Sequence, residues 1–99
     1  MSNAVLYISF KLAKGVSESD FLAASEKLNK EFMSKQKGYI SWKLLSEGET
    51  WADLLVWETE ADAQRAMDEG SANPLAHEFF SFIDGESTTV STLLVKKSN

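Results

Sequence analysis

Apolar and polar residues alternate through AVLYISFKLA (Ala4 to Ala13), setting Leu6, Ile8, Phe10 and Leu12 on one side and Val5, Tyr7, Ser9 and Lys11 on the other. A period of two is that of a strand. After the turn-forming KGVSESD the period changes. Phe21, Ala24, Leu28 and Phe32 recur three and four residues apart, opposite Glu26, Lys30 and Lys37, as one face of a helix does. Ser17, three residues ahead of Asp20, has the spacing of a capping box at the start of that helix, and Gly38 is expected to end it.

GYISWKLLSEGETWADLLVWET (Gly38 to Thr59) then reads as a hairpin around a loop carrying Gly48. Parity groups Ile40, Trp42 and Leu44 on one face of its first arm, with Tyr39, Ser41, Lys43 and Leu45 behind. In the return arm Trp51, Asp53, Leu55 and Trp57 share a face, and Ala52, Leu54 and Val56 the other. Both faces are substantially apolar, so both are expected to be covered. ETEADAQRAMDEG predicts a second helix with Ala63, Ala66 and Met67 inward, stopped at Gly70. SANPLAHEFFSFID restarts it, with Asn73 as N-cap, Pro74 at the first helical position, and Leu75, Phe79, Phe82 and Ile83 on the buried side. STTVSTLLVKK closes the chain as a fourth strand. The order βαββαβ is the α+β, ferredoxin-like arrangement with an antiparallel four-stranded sheet, and 99 residues suffice for one core, hence a single domain over residues 1–99.

Composition narrows the function. A formal net charge of -5 argues against nucleic acid as a partner, because phosphate binding needs clustered cations. Lys27, Lys30, Lys35 and Lys37 do gather, but Glu26 and Glu31 alternate with them as on a solvated helix face. The chain has no cysteine, which suits a reducing cytoplasm, and no secretory signal or membrane-spanning run is expected. One histidine, no cysteine and no close triad of inward carboxylates leave no metal constellation, and SEGE and DEGS lack the spacing of a phosphate loop. No cofactor is expected. Six Phe, three Trp and two Tyr are more ring surface than so small a core requires. All three indoles lie in the hairpin, where they can fill the core, join two subunits or wall a pocket for a flat ligand.

GYISWKLLS, WADLLVWETEADAQRA and NPLAHEFFSFID, in that order and at that spacing, resemble the antibiotic biosynthesis monooxygenase superfamily of dimeric α+β barrels, over nearly the whole chain. In particular, VWETEADAQRA is similar to the junction where a tryptophan ends the third strand of such proteins. The resemblance implies a homodimer whose two sheets pack into a barrel, with a pocket in each subunit between sheet and helices. Members of such a family differ widely in activity; the best known is oxygenation of aromatic polyketides without metal or flavin, and another branch degrades heme. The heme-degrading branch uses an asparagine on the first strand, a tryptophan within the second helix and an iron-ligating histidine about ten residues later. His77 falls at the histidine position, but Met67 stands in place of the tryptophan and Ile8 or Ser9 in place of the asparagine. That argues against heme.

His77 and Asp53 are the candidate catalytic residues. If His77 faces the pocket it can take a proton from a phenolic substrate. Asp53, among Trp51 and Leu55, either caps the hairpin edge or pairs with a lysine such as Lys43, or is a pocket carboxylate with a raised pKa, acting as a base. Tyr7 and Ser9 are candidate donors to a developing oxyanion. Trp42, Trp57, Met67 and Phe80 complete the candidate ligand contacts. A cofactor-free monooxygenase, a non-catalytic binder of a small aromatic molecule and a purely structural dimer all remain compatible with these residues.

Overall fold

In the computed structural model, which describes residues 2–99, β1 (Ala4–Leu12) leads through α1 (Glu18–Glu31) and a single 3-10 turn (Met33–Lys35) into the hairpin β2 (Tyr39–Glu47) and β3 (Thr50–Trp57). Two short helices, α2 (Glu60–Gly70) and α3 (Pro74–Ser81), precede β4 (Ile83–Leu94). The strands pair antiparallel in the order β2-β3-β1-β4, which is the ferredoxin-like sheet. Each helix starts on a side-chain cap. Ser17 Oγ accepts from the Asp20 N–H at 3.3 Å, Thr59 Oγ1 from Asp62 at 3.1 Å, and Asn73 Oδ1 from Leu75 at 2.8 Å. Pro74 occupies the first turn of α3, where its missing donor is not needed. Among the described residues no helix is long and apolar enough to cross a membrane.

The core forms where the inward parity of the strands meets the helices. β1 sets Leu6, Ile8 and Phe10 opposite Leu55, Asp53 and Trp51 of β3. Phe21 of α1 lies at the centre, stacked on Phe79 at 5.0 Å and edge-on to Trp51 and Phe10 at 5.3 and 5.8 Å. Trp57 is fully buried at the far end of β3. Aromatic pairs in these geometries add to the stabilisation given by their buried area.

Two sequence expectations need correction. Gly38 does not end α1. The helix stops at Glu31, where Phe32 leaves helical dihedrals and the chain tightens into the 3-10 turn, burying Met33 beside the face that Phe21 and Leu28 began. Gly38 enters β2 with φ +82, a left-handed conformation, and its Cα lies directly against the Asp62 side chain. The second correction concerns the parity of β2. Its pairing with β3 slips between Tyr39 and Ser41, so Tyr39, not Ile40, stands opposite Trp57 and meets that indole edge-on at 5.9 Å. An extra residue in one strand inverts the facing of everything before it. Ile40 is accordingly exposed.

On the side of the sheet away from the helices, Val5, Tyr7 and Ser9 stand opposite Val56, Leu54 and Ala52, and Val5 also faces Leu93 of β4. The chain itself leaves this face uncovered. Tyr7 is 39% and Leu93 52% exposed, and Leu45 is exposed beside them.

Candidate functional site

Between the sheet and the three helices lies a cavity of about 200 Å³. Its wall is hydrocarbon and aromatic, with Phe79 and Phe80 from α3, Met67 from α2, Leu28 from α1 and Trp42 from β2 among its members. Asp53 of β3 is the only ionisable side chain that lines it among the described residues. The strand places it there by parity, in the row with Trp51, Leu55 and Trp57.

Asp53 is 4% exposed and its Oδ1 accepts a hydrogen bond from Trp42 Nε1 at 2.9 Å. No other side chain donates to this carboxyl among the described residues. Burial raises its pKa from 3.8 to about 7, and the indole donor opposes the rise without cancelling it. The expected partner Lys43 is absent from the site because it lies one residue out of phase. Lys43 stands opposite Leu54 on the other side of the sheet, whereas Trp42 is the diagonal neighbour of Asp53, which pairs with Leu44.

The structure therefore brings together Asp53, Trp42, Met67 and Phe80 among the residues singled out from sequence. It places the remaining four elsewhere. His77 is exposed, since α3 turns Ala76, Phe79 and Phe80 to the cavity and so points the intervening His77 away. Its Nε2 makes a 2.6 Å hydrogen bond with the carbonyl oxygen of Ser71, and Ser71 contributes to the cavity wall. His77 thus ties α3 to the turn that follows α2, and it is not part of the cavity wall. Tyr7 and Ser9 lie on the uncovered sheet face, by the alternation that sends Leu6 and Ile8 inward. Trp57 is fully buried against Tyr39, is not part of the cavity wall, and keeps its Nε1–H without a hydrogen-bond partner among the described residues. Leu28, Phe32 and Phe79 line the space but were legible from sequence only as core, because a pocket wall and a core share the same apolar spacing, and Met33, brought to the wall by the 3-10 turn, was not singled out at all.

Polar chemistry in the cavity is sparse. Ser71 donates its hydroxyl to the Asp68 carbonyl oxygen, and the Trp42 N–H is taken by Asp53. Among the described residues no three carboxylate or imidazole side chains converge as metal ligands would. The site offers one proton-exchanging group in a hydrophobic enclosure.

No family model matches the chain, and no curated protein matches it in sequence. Solved structures do share its fold. SnoaB, a cofactor-independent oxygenase from Streptomyces nogalater, superimposes as a point variant with a TM-score of 0.80 at 14% identity, over 99% of this chain and 97% of that one. A candidate antibiotic biosynthesis monooxygenase from Nitrosomonas europaea matches with a TM-score of 0.72 at 9% identity, over 95% and 90% of the two chains. A conserved protein from Methanosarcina mazei matches with a TM-score of 0.71 at 16% identity, over 94% and 92%. At these identities the likeness is one of fold alone.

Proposed function

We propose that the cavity binds a small planar molecule of one or two rings bearing an acidic hydroxyl, and that Asp53 accepts the hydroxyl proton. The observation that carries this reading is a lone carboxyl, its pKa near 7, in an otherwise apolar wall. Size supports it. An apolar cavity of about 150 Å³ holds benzene, and drug-sized ligands fill roughly 300 Å³ or more. At about 200 Å³ this one lies between. The wall carries no cation, so a phosphate or carboxylate on the ligand would find no counter-charge beside Asp53.

A carboxylate raised to about 7 is a better base toward a phenol than an ordinary aspartate. Proton transfer leaves a phenolate whose electron-rich ring carbon can reduce dioxygen. Radical recombination gives a peroxide at that carbon, which takes the proton back from Asp53 and loses water as the ring C–H is deprotonated, so that the phenol's O–H and ring C–H plus dioxygen become a quinone's two C=O groups plus water. The likeness in fold to a cofactor-independent oxygenase supports this chemistry. One observation favours a second reading, binding without turnover: among the described residues the only side-chain N–H in the wall is already committed to Asp53, and Tyr7 and Ser9 are on the other face, so no free side-chain N–H awaits a developing oxyanion. The uncovered sheet face supports a homodimer that pairs the two sheets.

Oxygen uptake with dihydroxynaphthalenes, measured beside naphthol binding, separates the readings. Catalysis predicts uptake by wild type that falls at least a hundredfold in Asp53→Asn. Naphthol binding without uptake selects the binder. Absence of both removes the small-aromatic reading.

A further inference from the structure

Exposure is uneven around the cavity. Its strand side, with Ile8, Asp53 and Leu55, is buried, and among the described residues the only exposed members of the wall are Ser71 and Phe80. Ser71 directly follows α2 and Phe80 lies near the end of α3. The space therefore meets solvent between the end of α2 and α3.

Phe80 stands apart from the rest of that wall. Its ring is 47% exposed where that of Phe79 is 2%, although both line the cavity. A phenyl group half in water forgoes much of the stabilisation that burial gives a ring. It meets Phe79 edge-on at 5.9 Å, and exposed side chains change rotamer within nanoseconds. This ring can swing without unpacking the core. The backbone beside it is tied down: the Ala72 N–H donates to the Glu69 carbonyl oxygen at 3.2 Å, the Asn73 N–H to that of Gly70 at 3.0 Å, and His77 Nε2 is bonded to that of Ser71. The turn is a fixed frame, and the side chain is what moves.

Gly70 borders the same opening. Its φ is not positive, and a methyl group built on it would stand 3.8 Å from the Phe32 ring, an ordinary contact distance. Neither strain nor a clash thus requires glycine here, although glycine within a helix is less stable than alanine. What its missing side chain supplies is room beside Phe32, another member of the wall.

We infer that this end is the entrance to the ligand site and Phe80 its gate: an aromatic molecule passes between the end of α2 and α3 when the Phe80 ring swings outward, and the ring then closes over it. Gly70 keeps the passage wide. The inference rests on the reading of the cavity given above and adds to it the residues that decide what enters.

Stopped-flow fluorescence with naphthol separates association from dissociation in wild type and variants. Phe80→Ala should speed association about tenfold, because entry no longer waits for the ring to move, whereas loss of a mere wall contact would change dissociation alone. Phe80→Leu, smaller but apolar, should act in the same direction and serves should the alanine variant be unstable. Gly70→Ala should slow association about threefold, by narrowing the passage, with a melting temperature no lower than that of wild type. Association as slow in the Phe80 variants as in wild type overturns the gate, and an unchanged rate in Gly70→Ala overturns the passage. Naphthol that binds wild type with rates indifferent to all three substitutions removes this entrance and leaves the cavity reading standing. Absence of binding to wild type removes both.

Discussion

At Asp53 two effects oppose each other, and burial wins: the indole hydrogen bond favours the carboxylate, yet the carboxyl still titrates near 7. The folded chain therefore keeps a proton that the unfolded chain releases near 3.8. Stability falls as pH rises between those values and levels off above the higher one. Asp53→Asn, which retains an acceptor for Trp42, should remove this slope and leave the protein more stable than wild type at pH 8 by up to about 4 kcal/mol, as denaturant titrations at a series of pH values would show. A wild type that gains stability through that window would contradict the protonated carboxyl. Asp53 was legible as a candidate because a charge in a row of indoles is conspicuous. Its partner was not, since choosing Trp42 over Lys43 requires the hairpin register. His77 attracted interest as the chain's only histidine, but whether it faces the cavity depends on the phase of a helix of only eight residues.

The elements show where alternation and spacing are sufficient and where they fail. Strands and helices follow from periods of two and of three to four, and Ser17, Thr59 and Asn73 cap where side-chain oxygens precede apolar runs. The bulge at Ile40 is invisible in the sequence because Tyr39 and Ile40 are both apolar, so either parity looks satisfied. Gly38 likewise reads as a helix stop when its task is a left-handed turn pressed against Asp62. Gly48 also has a positive φ, at +61, but open space around it. Gly38→Ala should consequently cost about 2 kcal/mol or more and Gly48→Ala only about 1 kcal/mol, measured by thermal or denaturant unfolding. Equal losses would mean that Asp62 yields without cost.

For the whole molecule, the fold was readable because period, caps and turn residues agree along the entire chain. The cavity was not, because its volume depends on how Trp42, Phe79 and Phe80 pack and on no single residue. One sheet face keeps Tyr7, Leu45 and Leu93 exposed. A homodimer through this face predicts a mass of about twice 11.0 kDa by light scattering, reduced to monomer by Leu54→Lys, which puts a charge where the two sheets would meet. A wild-type monomer at micromolar concentration removes the dimer without touching the cavity. The link between carboxyl and ligand is tested most directly by carbon NMR of the aspartate carboxyls, titrated with and without naphthol. One carboxyl should titrate near pH 7, vanish in Asp53→Asn and shift its midpoint when naphthol is bound; carboxyls that all titrate below pH 5, or a late-titrating Asp53 indifferent to naphthol, would contradict the site.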